Sequence, residues 1–281
     1  MQSPKNTEKK ILVLGGTGKT GSRVVDRLQQ LGALVTIGSR SAEIPFDWND
    51  QTTWLANLQD VNAVYITFQP DLAIPGAVEI IRAFSKLAVE NKVNHLVLLS
   101  GRGEEEAQRC EKMVMEAGTH WTILRASWFS QNFSESYLLD PILAHYVALP
   151  VSNLPEPFVD ADDIADVAVE ALTNDGHFGQ LYELTGPRLL TFQDAVQEIA
   201  TATGKPIHYE KISMDEYAAM MAEYEVPKDI IWLITYLFIE ILDGRNASLT
   251  DGVQRALGRK PTDFSAYVQK AIATGVWQSA S

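Results

Sequence analysis

The stretch that most constrains this chain is Ile11–Gly21, ILVLGGTGKTG. Ile11 to Leu14 form an apolar run of the kind a buried parallel strand shows. Gly15, Gly18 and Gly21 follow at intervals of three, and Val24, Val25, Leu28 and Leu31 then recur at helical spacing. Strand, glycine turn and helix together make the spacing informative. Glycines let the backbone turn sharply and bring N–H groups, at the positive end of a helix, against a pyrophosphate. Thr17, Lys19 and Thr20 share that loop. A P-loop would need four residues between its first glycine and Gly-Lys-Ser/Thr, whereas Gly18-Lys19-Thr20 follows only Gly15-Gly16-Thr17. The reading is a dinucleotide site; a glycine-rich turn that binds nothing is the plainer alternative.

Further along, Gly32 is placed to end the first helix and Leu34–Gly38 reads as a second strand. Ser39-Arg40 follows directly. An acidic residue at this point of a Rossmann unit holds the ribose 2′-hydroxyl, while an arginine accommodates a 2′-phosphate. Arg40 therefore points to NADP(H) in preference to NAD(H); a solvated loop arginine is the alternative. Ile44–Asp47 reads as a third strand, with Asp47 and Trp48 where an adenine would lie. Trp48 and Trp54 also read as core anchors, Trp54 the more so. Further strands are expected at Ala63–Phe68, ending in Gln69-Pro70, at His95–Leu99 before Ser100-Gly101, and at Trp121–Leu124. Ala77 to Ala88 forms an apolar helical stripe, and Glu104–Glu106 read as a solvated helix start favoured by the dipole.

Prolines 141, 150, 155 and 157 interrupt the next segment, and Asp162 or Asp163 is expected to cap a helix to Leu172. Gln180–Leu184 reads as a strand that rejoins the sheet. Thr191 to Thr203 is a helix ended by Gly204, and Ile207–Ile212 is extended. Helices are expected over Asp215–Glu223, Lys228–Leu242, Leu249–Leu257 and Phe264–Thr274. This order implies an α/β, Rossmann-type, doubly wound parallel sheet with a small, mostly helical C-terminal substrate-side cap. The expected division is residues 1–153 for the dinucleotide and 154–281 for the cap.

The formal net charge of −13 argues against nucleic acid as a partner, since phosphate binding is driven by Lys and Arg. Cys110 is the single cysteine, so no internal disulfide forms, and no histidine is placed to make it a nucleophile. The five histidines are dispersed, without paired metal-ligand spacing. The first ten residues lack an apolar signal region, and the apolar run Ile230–Ile239 is too short to span a bilayer. A cytoplasmic protein without a membrane partner is expected, either monomer or homodimer.

Together, GGTGKTG, Ser39-Arg40, LLSG, TILRASWFSQNF, FVDADDIADVA and ELTGPRLLTFQDA resemble the NmrA-like branch of the atypical short-chain dehydrogenase/reductases. Within it, FDWNDQTTW and WFSQNFSE look most similar to the festuclavine dehydrogenase-like proteins of ergot alkaloid pathways. Triphenylmethane reductase and quinone oxidoreductase 2 look like more distant kin. The resemblance implies that Gly15–Gly21 holds the pyrophosphate, and that Ser39 and Arg40 hold the 2′-phosphate. It implies that Asp47 and Trp48 flank the adenine, and that Phe68, Gln69 and Pro70 lie near the ribose. Ser100, Gly101, Ser127, Trp128 and Phe129 would border the nicotinamide.

One departure bears on the chemistry. The superfamily's proton-donating Tyr-x-x-x-Lys pair should fall on the helix after Ser100, where this chain reads EEEAQRCEKMV. Lys112 is there without a tyrosine, and the pair is read as absent from the chain. Reducing a ketone creates an alkoxide that needs a proton, whereas reducing an iminium ion creates a neutral amine. The expected function is an NADPH-dependent reductase of an activated small molecule such as an iminium ion or a quinone. Its catalytic residues are not identified, and its pocket draws on Trp128, Phe129, Tyr137 and Tyr217, with Trp232 or Tyr236. The alternative is a non-catalytic NAD(P)-sensing regulator of the NmrA type.

Overall fold

The computed structural model describes residues 9–151 and 153–278. The described strands are β1 Lys10–Leu14, β2 Leu34–Gly38, β3 Ala63–Ile66, β4 His95–Gly101, β5 His120–Ala126, β6 Tyr146–Leu149, β7 Gln180–Leu184 and β8 His208–Lys211. The chain divides into two compact units. The first holds residues through Ala126, Ala161–Leu184 and Asp251–Arg259; the second holds Ser127–Asp160, Thr185–Thr250 and the residues from Lys260 on.

The first unit is built on one sheet of order β2-β1-β3-β4-β5-β7. Every neighbouring pair in it is parallel. Ile11–Leu14 are fully buried, as are Val64–Ile66 and Leu96–Leu98, which is what unbroken apolar runs between two helical layers require. Helices Lys19–Gln30, Ala77–Glu90, Glu105–Met115 and Ala161–Thr173 supply those layers. The chain leaves β1 for β2 on one side and reaches β3 on the other. The order therefore reverses between β1 and β3, which is where open α/β sheets bind their ligands.

The expected strand at Ile44–Asp47 does not form. Pro45 has no N–H to donate, the Phe46 amide turns back to the Ser39 carbonyl at 2.9 Å, and only an isolated bridge joins Asp47 to Asp50. The segment instead inserts aromatic side chains. Phe46, Trp48, Trp54 and Phe84 meet with ring centroids between 4.9 and 6.3 Å apart. Trp54 is a core anchor, with its indole N–H on the Asp47 carbonyl at 2.8 Å. Asp162 and Asp163 lie inside the first turn of their helix, not ahead of it. There they pair with arginines: Asp162 with Arg27 at 2.9 Å, and fully buried Asp163 with Arg259 at 2.7 Å.

The second unit is mostly helical around Phe133, Phe158, Phe192 and Phe264, all nearly inaccessible. It contains a small parallel sheet, β6 with β8. The sequence marks β8 as extended but gives no sign of β6, whose four residues are too few for alternation to register. Helices Phe192–Thr203 and Met214–Glu223 both begin with reciprocal capping boxes, Thr191 with Asp194 and Ser213 with Glu216. The stretch expected as one helix from Lys228 to Leu242 is α-helical to Tyr236 and continues as a π turn over Leu237–Ile241.

Candidate active site

Gly15 leaves β1 with φ +64, a conformation that glycine adopts without strain, and a β-carbon there would strike Thr67 Oγ1. Thr67, just after β3, donates that hydroxyl to the Leu14 carbonyl at 2.9 Å. The ends of β1 and β3 are thus tied together at the reversal point. Gly21 is required for a different reason. A β-carbon on it would overlap the Gly15 carbonyl oxygen and stand 2.7 Å from the Gly15 carbonyl carbon. The turn closes with Gly15 N–H to Gly38 O and Gly18 N–H to Gly15 O, each 2.8 Å.

Gly18 is the N-cap of the helix Lys19–Gln30, makes no side-chain cap, and is followed by no acid in the first turn. The positive end of the helix dipole therefore meets a tight glycine turn without a carboxylate from its own first turn to neutralise it. Such a cradle fits a dinucleotide pyrophosphate. Thr17 is exposed, Lys19 half-buried and Thr20 buried. Gln69 reaches the same place, its Nε2 lying 3.7 Å from where a β-carbon on Gly18 would be.

At the end of β2, Ser39 is half-buried, its hydroxyl 3.4 Å from that of Ser41. Arg40 is exposed and has no hydrogen-bond or ion-pair partner among the described residues. Asp47 accepts the Asn49 N–H at 2.9 Å. Trp48 sits within the aromatic core, 5.1 Å from the Phe68 ring, with its indole N–H on the Thr67 carbonyl at 3.0 Å. Trp48 thus braces the loop that carries Phe68, Gln69 and Pro70.

Beyond β4, the sequence leaves the most important side chains unremarked. Ser100 donates its hydroxyl to Glu111 Oε1 at 2.7 Å. Glu111, 1% exposed on the helix after β4, is also gripped by both ends of the Arg125 guanidinium, Nε at 2.9 Å and Nη2 on the second oxygen. Arg125 reaches on to Glu183 at 3.0 Å, and Arg102 joins Glu183 at 3.3 Å. Two acids and two guanidinium groups therefore balance across the carboxyl ends of β4, β5 and β7.

Two further acids stand outside that balance. Glu104 is buried, contrary to its reading as a solvated helix start; only Glu105 beside it is exposed. Its carboxyl lies in hydrogen-bonding contact with that of Asp71, the residue after Pro70. Burial, and then the Asp71 charge, push the Glu104 carboxyl well above the usual carboxylate range. The helix after β4 carries Cys110, fully buried, with burial pushing its thiol up to about 12. It is therefore inert as a nucleophile.

A Tyr-x-x-x-Lys spacing does occur elsewhere, at Tyr224 and Lys228, correcting its expected absence from the chain. Tyr224 closes one helix and is 78% exposed, Pro227 breaks the backbone between them, and Lys228 opens the next helix. The two side chains do not share a helical turn, which is what that pair requires.

In the second unit, Trp128, Tyr137 and Tyr217 converge on Phe238, at ring distances of 5.5, 6.5 and 5.7 Å. Phe238 is the ring on which the three meet, though sequence periodicity treats it as one apolar position among many. The Tyr137 hydroxyl is buried without a hydrogen-bond partner. Burial raises both phenols, that of Tyr217 to about 12, so both remain hydrogen-bond donors at neutral pH. The Ser127 hydroxyl is likewise buried without a partner, and Phe129 forms a bridge with Val159. Trp232 and Tyr236 stack on each other at 5.8 Å, with Trp232 47% exposed.

No family model matches the chain. Agroclavine dehydrogenase of Claviceps fusiformis is 29% identical over 92% of this chain and 96% of its own. The chain is similar in sequence to the clavine dehydrogenases. An NAD(P)H azoreductase of Xenophilus azovorans is 27% identical over 92% of this chain and 96% of that one. Prestalk A differentiation protein A of Dictyostelium discoideum is 26% identical over 95% and 94%. The fold is shared with the Citrobacter sp. triphenylmethane reductase complexed with NADP(H), at TM-score 0.74 and 18% identity over 93% of this chain and 99% of that one. The resemblance drawn from the motifs is borne out, both toward the clavine enzymes and toward the Rossmann-type fold of the more distant kin.

Proposed function

We propose that this protein is an NADPH-dependent reductase that delivers hydride to an activated small-molecule electrophile, an iminium ion, quinone or similar acceptor. The observation that carries the reading is the glycine turn at the β1–β3 reversal, with Arg40 exposed at the end of β2 and without a partner among the described residues. Gly15, Thr17, Gly18, Lys19, Thr20 and Gly21 hold the pyrophosphate; Ser39 and Arg40 hold the 2′-phosphate. Asp47 and Trp48 shape the adenine side, Phe68–Pro70 the ribose, and Ser100 with Gly101 the nicotinamide end. Bound there, the dinucleotide supplies the hydride.

The chain's own work is to position and to exclude water. The Ser100 hydroxyl already donates its hydrogen bond to Glu111, which Arg125 holds, so neither side chain is disposed as a Tyr/Lys-type donor. That suits an acceptor whose reduction develops no unshielded anion. The substrate side is assigned to Trp128, Phe129, Tyr137 and Tyr217, where flat apolar rings and an unsatisfied phenol O–H favour a conjugated molecule carrying one acceptor atom.

The test pairs a direct NADPH-binding titration with NADPH consumption against cyclic iminium ions, quinones, azo compounds and cationic dyes. Binding with turnover on one of these classes is expected. Arg40→Ala should weaken NADPH by roughly 10- to 100-fold, the value of a charge-assisted phosphate contact, and leave NADH unchanged. Equal loss for both nucleotides removes Arg40 from the 2′-phosphate. Tight binding without turnover on any class would favour the regulatory, nucleotide-sensing alternative.

A further inference from the structure

The first unit contains a pair of carboxyls that the hydride chemistry leaves unused. Asp71 follows Pro70 at the end of the β3 loop, and Glu104 begins the helix after β4, so the two flank the ends of adjacent parallel strands. Glu104 occupies the N-cap position yet makes no capping hydrogen bond. Its carboxyl is folded back over Gly101 so closely that a β-carbon there would overlap Oε1 and stand 2.8 Å from Oε2. Glu104 is 8% exposed, and its Oε2 is buried without a partner. Asp71, half-buried, accepts the Ala73 N–H at 2.8 Å on Oδ1.

The groups that face this pair are Glu111, held by Arg125, and the buried Cys110 thiol, on which Glu106 of the same helix and Glu79 of the preceding helix also act. Neither Asp71 nor Glu104 has an ion-pair partner among the described residues. Among the described residues no group of three or more acids, histidines or cysteines is placed to hold a metal. Two carboxyls in contact without a cation cannot both ionise cheaply; one proton between them removes the repulsion and gives the orphan oxygen an O–H.

We propose that Asp71 and Glu104 share one proton at neutral pH and release it to solvent when the oxidised, cationic nicotinamide is seated at the ends of β3 and β4, making the pair a determinant of NADP⁺-against-NADPH affinity. The inference rests on the cofactor reading above, which places Ser100-Gly101 at the nicotinamide end, where the Glu104 carboxyl folds over Gly101, and Phe68–Pro70 at the ribose. A full carboxylate beside a positive ring is attractive, and the same charge beside the neutral reduced ring is not. Ionised, the pair favours NADP⁺; protonated, it favours NADPH. As the pair titrates as a unit, the linkage belongs to both residues and not to Glu104 alone.

The experiment is calorimetric binding of NADP⁺ and of NADPH to the full chain between pH 6 and 8, in buffers of different ionisation enthalpy, which reads the protons released. The 2′-phosphate titrates near pH 6 and contributes to both nucleotides alike, so the difference between them isolates the pair. Wild type should release close to one more proton with NADP⁺ than with NADPH, and its NADP⁺ affinity should tighten by up to about tenfold per pH unit relative to NADPH. Glu104→Gln, which keeps the shape of the protonated acid, should abolish both differences. Asp71→Asn, by removing the neighbouring charge, should move the linkage to lower pH. Equal proton release for the two nucleotides in wild type, or an undiminished difference in Glu104→Gln, overturns the inference while leaving the cofactor reading intact. Failure of both nucleotides to bind wild type overturns the cofactor reading and the inference with it.

Discussion

Arg125 shows how one residue sets the geometry of a strand end. Its guanidinium neutralises Glu111, whose side chain is 2% exposed, and holds Glu183 with its remaining nitrogen. The arginine's own charge is reinforced first by the Glu111 hydrogen bond and only then opposed by burial. Removing it leaves a buried carboxylate with only the Ser100 hydroxyl, while Glu183 keeps Arg102. Arg125→Met should therefore cost about 3–5 kcal/mol, the range for breaking a buried pair on one side, measured by urea denaturation. The double variant Arg125→Met with Glu111→Leu should recover most of that loss, because the uncompensated charge is gone. Gly21 presents the opposite case, a residue whose value is having no side chain. Gly21→Ala forces the turn apart against backbone, not against a side-chain tip that can swing away. It should lower nucleotide affinity by at least about tenfold with intact far-UV circular dichroism, because the distortion falls on the N–H cradle of a helix that still forms.

At the scale of elements, the two capping boxes separate local from tertiary stabilisation. Thr191 begins a helix that buries Phe192, Ala195, Val196 and Ile199, while Ser213 begins one that buries only Tyr217 and Met221. Removing either cap, as Thr191→Ala or Ser213→Ala, should cost about 1 kcal/mol. Hydrogen exchange should then differ between them: local fraying over Met214–Glu223 in the Ser213 variant, and little over Phe192–Thr203, whose packing holds it after the cap is lost. These helices were legible in the sequence because cap, apolar spacing and terminal Gly204 agree. The apolar parallel strands were legible for the same kind of reason, since a strand covered on both faces reads as a continuous run. Where local signals conflict with packing, the sequence misleads. Ile44–Asp47 carries strand-like residues, but Pro45 and the inward turn of Phe46 and Trp48 divert it into an aromatic cluster. Glu104 heads an acidic triplet that a helix dipole explains fully, so nothing local sets it apart from Glu105. Its contact is Asp71, thirty-three positions earlier and brought alongside only by the pairing of β3 with β4. The glycine turn was legible because its shape depends on backbone; the places of Glu111, Arg125 and Phe238 were not, because they are set by partners distant in the chain.

For the whole molecule, the relevant quantity is charge. The chain carries a formal −13, and the ligand proposed for it is itself a polyanion. Binding therefore works against the global field and relies on local features, the helix Lys19–Gln30 with no acid in its first turn and Arg40, exposed and without a partner among the described residues. The two contributions have different ranges. Repulsion from a dispersed net charge acts at distances beyond the ~8 Å over which physiological salt screens, whereas the Arg40–phosphate contact acts only at touching distance. Salt should consequently act on the two rate constants separately. Raising ionic strength from about 10 to 150 mM should speed NADPH association severalfold, as screening removes the long-range barrier. Dissociation should quicken more modestly, as the local contacts weaken. Stopped-flow quenching of tryptophan fluorescence measures both rates. In Arg40→Ala the association rate should keep its rise with salt, while dissociation, already fast, should lose most of its salt dependence. An association rate that falls as salt is added would mean that the rim of the glycine turn is locally positive enough to overcome the charge of the whole chain, and would shift the source of affinity from contact to steering.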